Sequence, residues 1–260
     1  MSAPTVATFD ARELEDKVKD MYRSVAENPR GDFHFEMGRA MAERLGYVPA
    51  DLDQVPNEAI ESFAGVGYYF DLADLKFGEA VLDLGSGSGL DTFVAALKVG
   101  PSGSVVGVDM TDEQRAKAER LRVRDGFVQV EYRKGYIETP PVSDGTFDAV
   151  ISNGVINLSA EKEKVFQTAA RVLKSGGRLA LSDIVTEVQL PEGITCDTTL
   201  WAACIGGAVR RDNYVGMIEA AGLRVLGVRE NTAYRFLSAN AQAASKKYGV
   251  KSVSLLARKG

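Results

Sequence analysis

A doubly wound α/β fold, with a mostly parallel seven-stranded sheet beneath a helical N-terminal lid, is predicted by three observations. From Glu79 onward, short apolar and β-branched runs alternate with amphipathic stretches. Strands separated by about 10 to 15 residues of helix imply βαβ crossovers, hence a sheet covered on both faces. The first run ends in a glycine-rich turn, which puts a ligand crevice beyond the carboxyl ends of the central strands, where the strand order reverses. Before residue 70 the apolar spacing is helical instead.

In the N-terminal part, Leu14, Val18 and Met21 recur at helical spacing, as do Met37, Met41 and Leu45, and Gly46 stops that second helix. The sheet grammar then begins with AVLDL at 80–84, a helix near 90–98, SVVGVDM at 104–110, a helix near 112–124 and VQVEYR at 128–133. It continues with FDAVIS at 147–152, a helix from about 160 to 173, RLALSDIV at 178–185, a helix near 212–221 and strands near 223–230 and 251–258. GPSGS at 100–104 and KSGG at 174–177 read as turns, and there is no internal repeat. The expected division is a helical lid over residues 1–70 and a ligand-binding sheet domain over 71–260.

Composition narrows the function classes. With 45% hydrophobic residues, 260 residues can bury one generous core. Thirty-one Lys and Arg against 36 Asp and Glu are spread without a basic stripe, which argues against nucleic acid and anionic membranes as partners and for a small ligand. The N-terminus lacks the basic start and apolar core of a secretion signal, and no apolar run approaches the roughly 18 residues that cross a bilayer, so a cytoplasmic location is expected. Cys196, Cys204 and the single histidine, His34, have no metal-ligand spacing, and neither disulfide nor metal is expected. Nothing in the sequence sets the oligomeric state.

The glycine turn is LDLGSGSGLD, residues 82–91. Gly85, Ser86, Gly87 and Gly89 let the backbone approach a ligand closely while the next helix presents its unpaired N–H groups. Asp109, followed by Met110, ends the second strand 20 residues beyond Gly89, where a carboxylate accepts from both hydroxyls of a ribose. A dinucleotide site wants GxGxxG, but here the third glycine falls one place early and Leu90 holds its position. Asp83, beside the loop, would repel a pyrophosphate and tolerate a cation. S-adenosylmethionine, a phosphate-free nucleoside bearing an ammonium and a sulfonium, satisfies both conditions. In GYIETPPV (135–142), Tyr136 and Ile137 would lie against an adenine face with Glu138 near its amine; a capped loop ending in a Pro-Pro turn is the competing reading. The FDAVIS strand delivers Asn153 and Gly154 to the centre of the crevice.

VLDLGSGSGLDTF, GxVVGVDMT (103–111), GYIETPPV, ISNGVINLS, FQTAARVLKSGGRLALSDIV and ACIGGA (203–208) together resemble class I methyltransferases, which have a Rossmann-like fold, and most closely the arsenite methyltransferases. The resemblance runs from about Tyr22 to Val228. The glycine loop and the ribose acid are general to the superfamily, whereas SNxVINLS and CxGGA are specific to the arsenite-type branch. In that branch the x of SNxVINLS is a cysteine, a second cysteine matches Cys204, and a third lies near Gly46 and Tyr47; the three hold trivalent arsenic. Here the first is Gly154 and no cysteine precedes Cys196. If one helix carried both cysteines, eight residues would separate Cys196 from Cys204 by about 12 Å, too far to chelate one atom.

For the acceptor side, Tyr22, His34 and Glu36 on the lid, together with Cys204, are the candidates for a catalytic group. Each has a packing alternative: His34 stands between two phenylalanines, and Cys204 is equally a small buried apolar residue. Gly154, Tyr68, Tyr69, Trp201 and Cys204 are the expected acceptor-pocket residues, with Phe70 in the core. The leading reading is a methyltransferase acting on a small-molecule acceptor, arsenite-type in framework but not arsenic-specific. The alternatives are an arsenite methyltransferase working with Cys204 and an external thiol, and a non-catalytic S-adenosylmethionine-binding module. An NAD-dependent oxidoreductase ranks below these because of the displaced glycine and Asp83.

Overall fold

The computed structural model describes residues 11–195 and 205–260. Seven strands form one sheet in the order β3-β2-β1-β4-β5-β7-β6. They are β1 (Ala80–Leu84), β2 (Ser104–Asp109), β3 (Val130–Lys134), β4 (Phe147–Asn153), β5 (Leu173–Val185), β6 (Leu223–Glu230) and β7 (Lys251–Lys259). β1 through β5 pair in parallel, while β7 runs antiparallel between β5 and β6. The order reverses between β1 and β4, so a crevice opens at their carboxyl ends.

Period-two alternation splits the central strands between two cores. Val81 of β1 joins Phe93, Val94, Val105 and Ile151 on one face; Leu82 and Leu84 join Val150, Phe166, Tyr214 and Ile218 on the other. The first face is covered by α6 (Leu90–Val99) and α7 (Asp112–Arg124), the second by α8 (Lys162–Val172) and the helix Arg211–Ala220. With both faces covered, β1 is buried from Val81 to Leu84.

The N-terminal segment divides. α1 (Ala11–Glu27) is strongly amphipathic and turns Leu14 and Val18 into a third cluster with Val66, Leu158, Ile184 and Ile205. By contrast α2 (Arg39–Leu45), α3 (Pro49–Leu52), α4 (Asn57–Glu61) and α5 (Phe70–Ala73) put Met41, Leu52, Ile60 and Phe70 into the same core as α6. Residues 41–73 are thus a layer of the sheet domain, and α1 is the element that overlies the crevice.

Some boundaries differ from the sequence expectation. α2 begins at Arg39, leaving Met37 outside, because Gly38 with φ of 86° is its cap. β3 starts at Val130, and Val128 is 82% exposed in the preceding turn. The KSGG stretch lies within β5: pairing with β4 slips between Phe147 and Ala149, and Gly176 takes a φ of 76°. The glycines make an irregularity in a long strand instead of a separate turn. Among the described residues no helix is long and apolar enough to cross a membrane.

Candidate active site

At the carboxyl ends of β1, β2 and β4 lies a cavity of about 470 Å³. Its donor-side wall is made of local strand-end structure. Asp109 closes β2, and its two carboxylate oxygens accept the Thr111 N–H at 2.8 Å and the Gly87 N–H at 2.9 Å. That holds the glycine loop against the tip of β2. The loop must be glycine where it crosses β3: at Gly89, with φ of 98°, a Cβ would lie 2.1 Å from the Tyr132 hydroxyl.

Two carboxylates meet under the loop. Asp83 is buried and accepts the Thr92 hydroxyl at 2.6 Å. Burial, then the charges of Asp91 and Asp109, holds its pKa well above the usual carboxylate range. Asp91, in the first turn of α6, accepts from the Tyr47 hydroxyl, from the Tyr69 hydroxyl at 2.8 Å and from the Asn153 amide at 3.0 Å. Burial still raises its pKa despite these three donors. Asn153, at the end of β4, also accepts the Val66 N–H at 2.8 Å and donates to the Gly67 carbonyl at 3.0 Å, clamping that loop to the sheet.

Beyond β3, Tyr136, Ile137 and Glu138 line the cavity. The Glu138 carboxylate accepts from the Ser159 hydroxyl, and its carbonyl accepts from Thr168 at 2.8 Å. Behind this wall Asp183 receives the Asn157 N–H at 2.9 Å and the Tyr214 hydroxyl at 2.7 Å, fixing the turn Ile156–Leu158. Burial pushes Asp183 up to about 6 and its neighbour Lys162 down to about 8. A further part of the lining is apolar: Leu14, Val18 and Tyr22 of α1, then Phe63, Ala64 and Leu158.

Every expected donor-site residue lines this cavity: Asp83, Gly85, Ser86, Gly87, Asp109, Met110, Tyr136, Ile137, Glu138 and Asn153. So does Tyr22. The other acceptor-side candidates stand apart from the lining. His34 packs edge-on against Phe35 with ring centroids 4.7 Å apart, and Glu36 is ion-paired to Arg44. Tyr69 is fully buried behind the wall on Asp91, and Tyr68 lies edge-on to Tyr47 at 5.1 Å. Gly154 is buried with φ of 71°, and a Cβ there would meet Val66 Cγ1 at 3.1 Å. Cys196, Trp201 and Cys204 lie outside the described residues. Sequence reasoning missed Asp91 as a hub and Glu15, Leu14 and Val18 as lining. Asp91 carried a signal, an acid in the first turn after the glycine loop; the α1 residues carried only helical amphipathicity.

A parallel sheet with a glycine loop, a carboxylate pair and a ribose-type acid at its switch point defines a nucleoside-cofactor site for a cation. Comparison with known proteins carries this further. A family model described as a methyltransferase domain matches residues 75–222. The arsenite methyltransferase of Halobacterium salinarum is 36% identical over 86% of this chain and 60% of its own length. That of Aquipseudomonas alcaligenes is 44% identical over 66% of this chain and 51% of its own. The chain thus spans only 60% and 51% of the length of these two relatives. A crystal structure of an arsenic(III) S-adenosylmethionine methyltransferase from Chlamydomonas reinhardtii is 30% identical, with a TM-score of 0.63, covering 86% of this chain and 74% of that one. The chain belongs to the class I S-adenosylmethionine-dependent methyltransferases, near the arsenite methyltransferases. Its cofactor is S-adenosylmethionine, and the residues present fit it: carboxylates beside the glycine loop suit a cation, and Asp109 lines the cavity at the tip of β2.

Proposed function

We propose that the chain methylates a small-molecule acceptor with an apolar face, on an arsenite-type framework without arsenic specificity. When bound, S-adenosylmethionine supplies a methyl group on a positively charged sulfur. Asp83 and Asp91 face the donor's positive charge, which favours their ionised forms, Asp109 takes the ribose, and Tyr136, Ile137 and Glu138 take the adenine side. Leu14, Val18, Phe63 and Leu158 make an apolar wall of the cavity, which keeps water from the transfer and favours an aligned approach. Tyr22, on that wall, is the candidate to orient the acceptor.

The observation that carries this reading is position 154. Where the resembling enzymes place a thiolate, this chain has a glycine in the left-handed region, with the buried Val66 on the side a Cβ would occupy. A hydrocarbon contact gives a metalloid no ligand. The high identity to two arsenite methyltransferases favours one second reading, arsenite methylation through Cys204 and an external thiol. Adenosylhomocysteine release, measured with arsenite and glutathione and again with a panel of apolar acceptors, separates the two. We expect turnover with a member of the panel and none that depends on arsenite; arsenite-dependent release of methylated arsenic would overturn the proposal.

A further inference from the structure

The two halves of α1 are held in different ways. Its carboxyl-terminal half is pinned to α7: Arg23 pairs with Glu113 at 2.9 Å, Gln114 donates to the Tyr22 carbonyl at 2.8 Å, and the buried Lys117 donates to the Ala26 carbonyl at 3.1 Å. Ser62 adds a bond to the Val25 carbonyl at 3.2 Å. The amino-terminal half lays Leu14 and Val18 over the cavity and turns its polar edge to the loop after β3. There the Tyr136 hydroxyl donates to Glu15 at 2.7 Å and receives Lys19 at 3.1 Å, while the Lys19 ammonium sits 5.2 Å from the centre of the tyrosine ring. Glu15 and Lys19 pair with each other as well.

Tyr136 is therefore shared. It lines the donor cavity, and its hydroxyl holds the helix that covers that cavity. We propose that the amino-terminal half of α1 is a gate over the donor pocket, hinged on its α7-pinned half and latched by the Tyr136–Glu15–Lys19 cluster. This rests on the donor assignment made above. Tyr136 acts here as a positioning residue: it sets how often Leu14 and Val18 lift away to let the donor exchange. A latch formed with or without ligand slows entry and exit alike, whereas a residue that only touches the donor slows exit alone.

That kinetic difference supplies the test. Association and dissociation rates of adenosylhomocysteine are measured on the full chain and on Glu15→Gln, Lys19→Met and Tyr136→Phe, with melting curves to confirm that each variant is folded. Loss of the carboxylate's charge from this exposed cluster should raise both rates of Glu15→Gln by about two- to fivefold and leave their ratio, the Kd, unchanged. Amide hydrogen exchange over residues 11–18 of the ligand-free protein should quicken in the same variant. Should one substitution unfold the chain, the other two carry the same expectation. A rise in dissociation alone would reduce Tyr136 to a donor contact and overturn the gate, as would unchanged rates. Wild-type protein that fails to bind adenosylhomocysteine would overturn the donor site, and the gate with it.

Discussion

One wall of the cavity is polar, with backbone N–H groups and carboxylates at the tips of β1 and β2 and on the loop after β3; another is apolar, with side chains from α1, the 62–65 loop and the turn after β4. The donor-side wall is built by loops at the tips of neighbouring strands and tied by bonds between them, as when Asp109 at the end of β2 holds Gly87 of the loop after β1 as well as Thr111. The apolar wall is assembled from three segments well separated along the chain, held by burial and by the Asn153 clamp. Specific polar geometry suits a ligand common to a whole family, and a wall of side chains can change partners without disturbing it.

Three substitutions or conditions probe this contrast. The largest effect belongs to Asp109→Ala, which should weaken adenosylhomocysteine binding by about 2 kcal/mol by leaving the ribose and the loop N–H groups without their acceptor. Unchanged affinity by calorimetry would remove the distinction between the two walls. Next, Gly154→Ala should destabilise the fold by ~1–2 kcal/mol, because an alanine has to adopt the left-handed region beside Val66. Urea unfolding reads that loss, while donor affinity stays at the wild-type value if the two walls are independent. A parallel loss of donor affinity would show that they are one unit.

The smallest effect is on pH dependence. Burial raises the pKa of Asp83 and Asp91, so their contribution to stability is complete below the ordinary carboxylate range and is lost as pH rises through the raised values. A cationic ligand favours the ionised forms. Donor affinity should accordingly climb with pH through that window, by a few-fold per pH unit and under the ~tenfold limit for one coupled proton. Calorimetry in two buffers of different ionisation heat should detect proton release on binding. Proton uptake in its place would mean that the carboxylates are not the cation's partners.

How far the molecule could be read from sequence follows the same division. The strand and helix order was legible because short apolar, β-branched runs are separated by stretches of helix length, and β1, α7 and β6 fall on the residues that this alternation implies. All ten residues expected on the donor side line the cavity, because each sits in or just beyond a strand end that its own segment marks. Tyr68 and Tyr69 were misplaced because short-range pattern does not say which way a tyrosine before a four-residue helix turns; Tyr69 turns inward to Asp91. His34 had the right chemistry but packs on Phe35, and a lone ring between aromatics carries no signal that separates packing from catalysis. The role of α1 was legible only as amphipathicity, since what its apolar stripe covers is decided by residues far along the chain.

The placement of β7 has a consequence for how the chain assembles. Because β7 lies between β5 and β6, β6 is made before the strand that it pairs with among the described residues. Until residues 251–259 slot in, β5 presents a bare edge and β6 has no ladder at all, so one late insertion completes two seams at once.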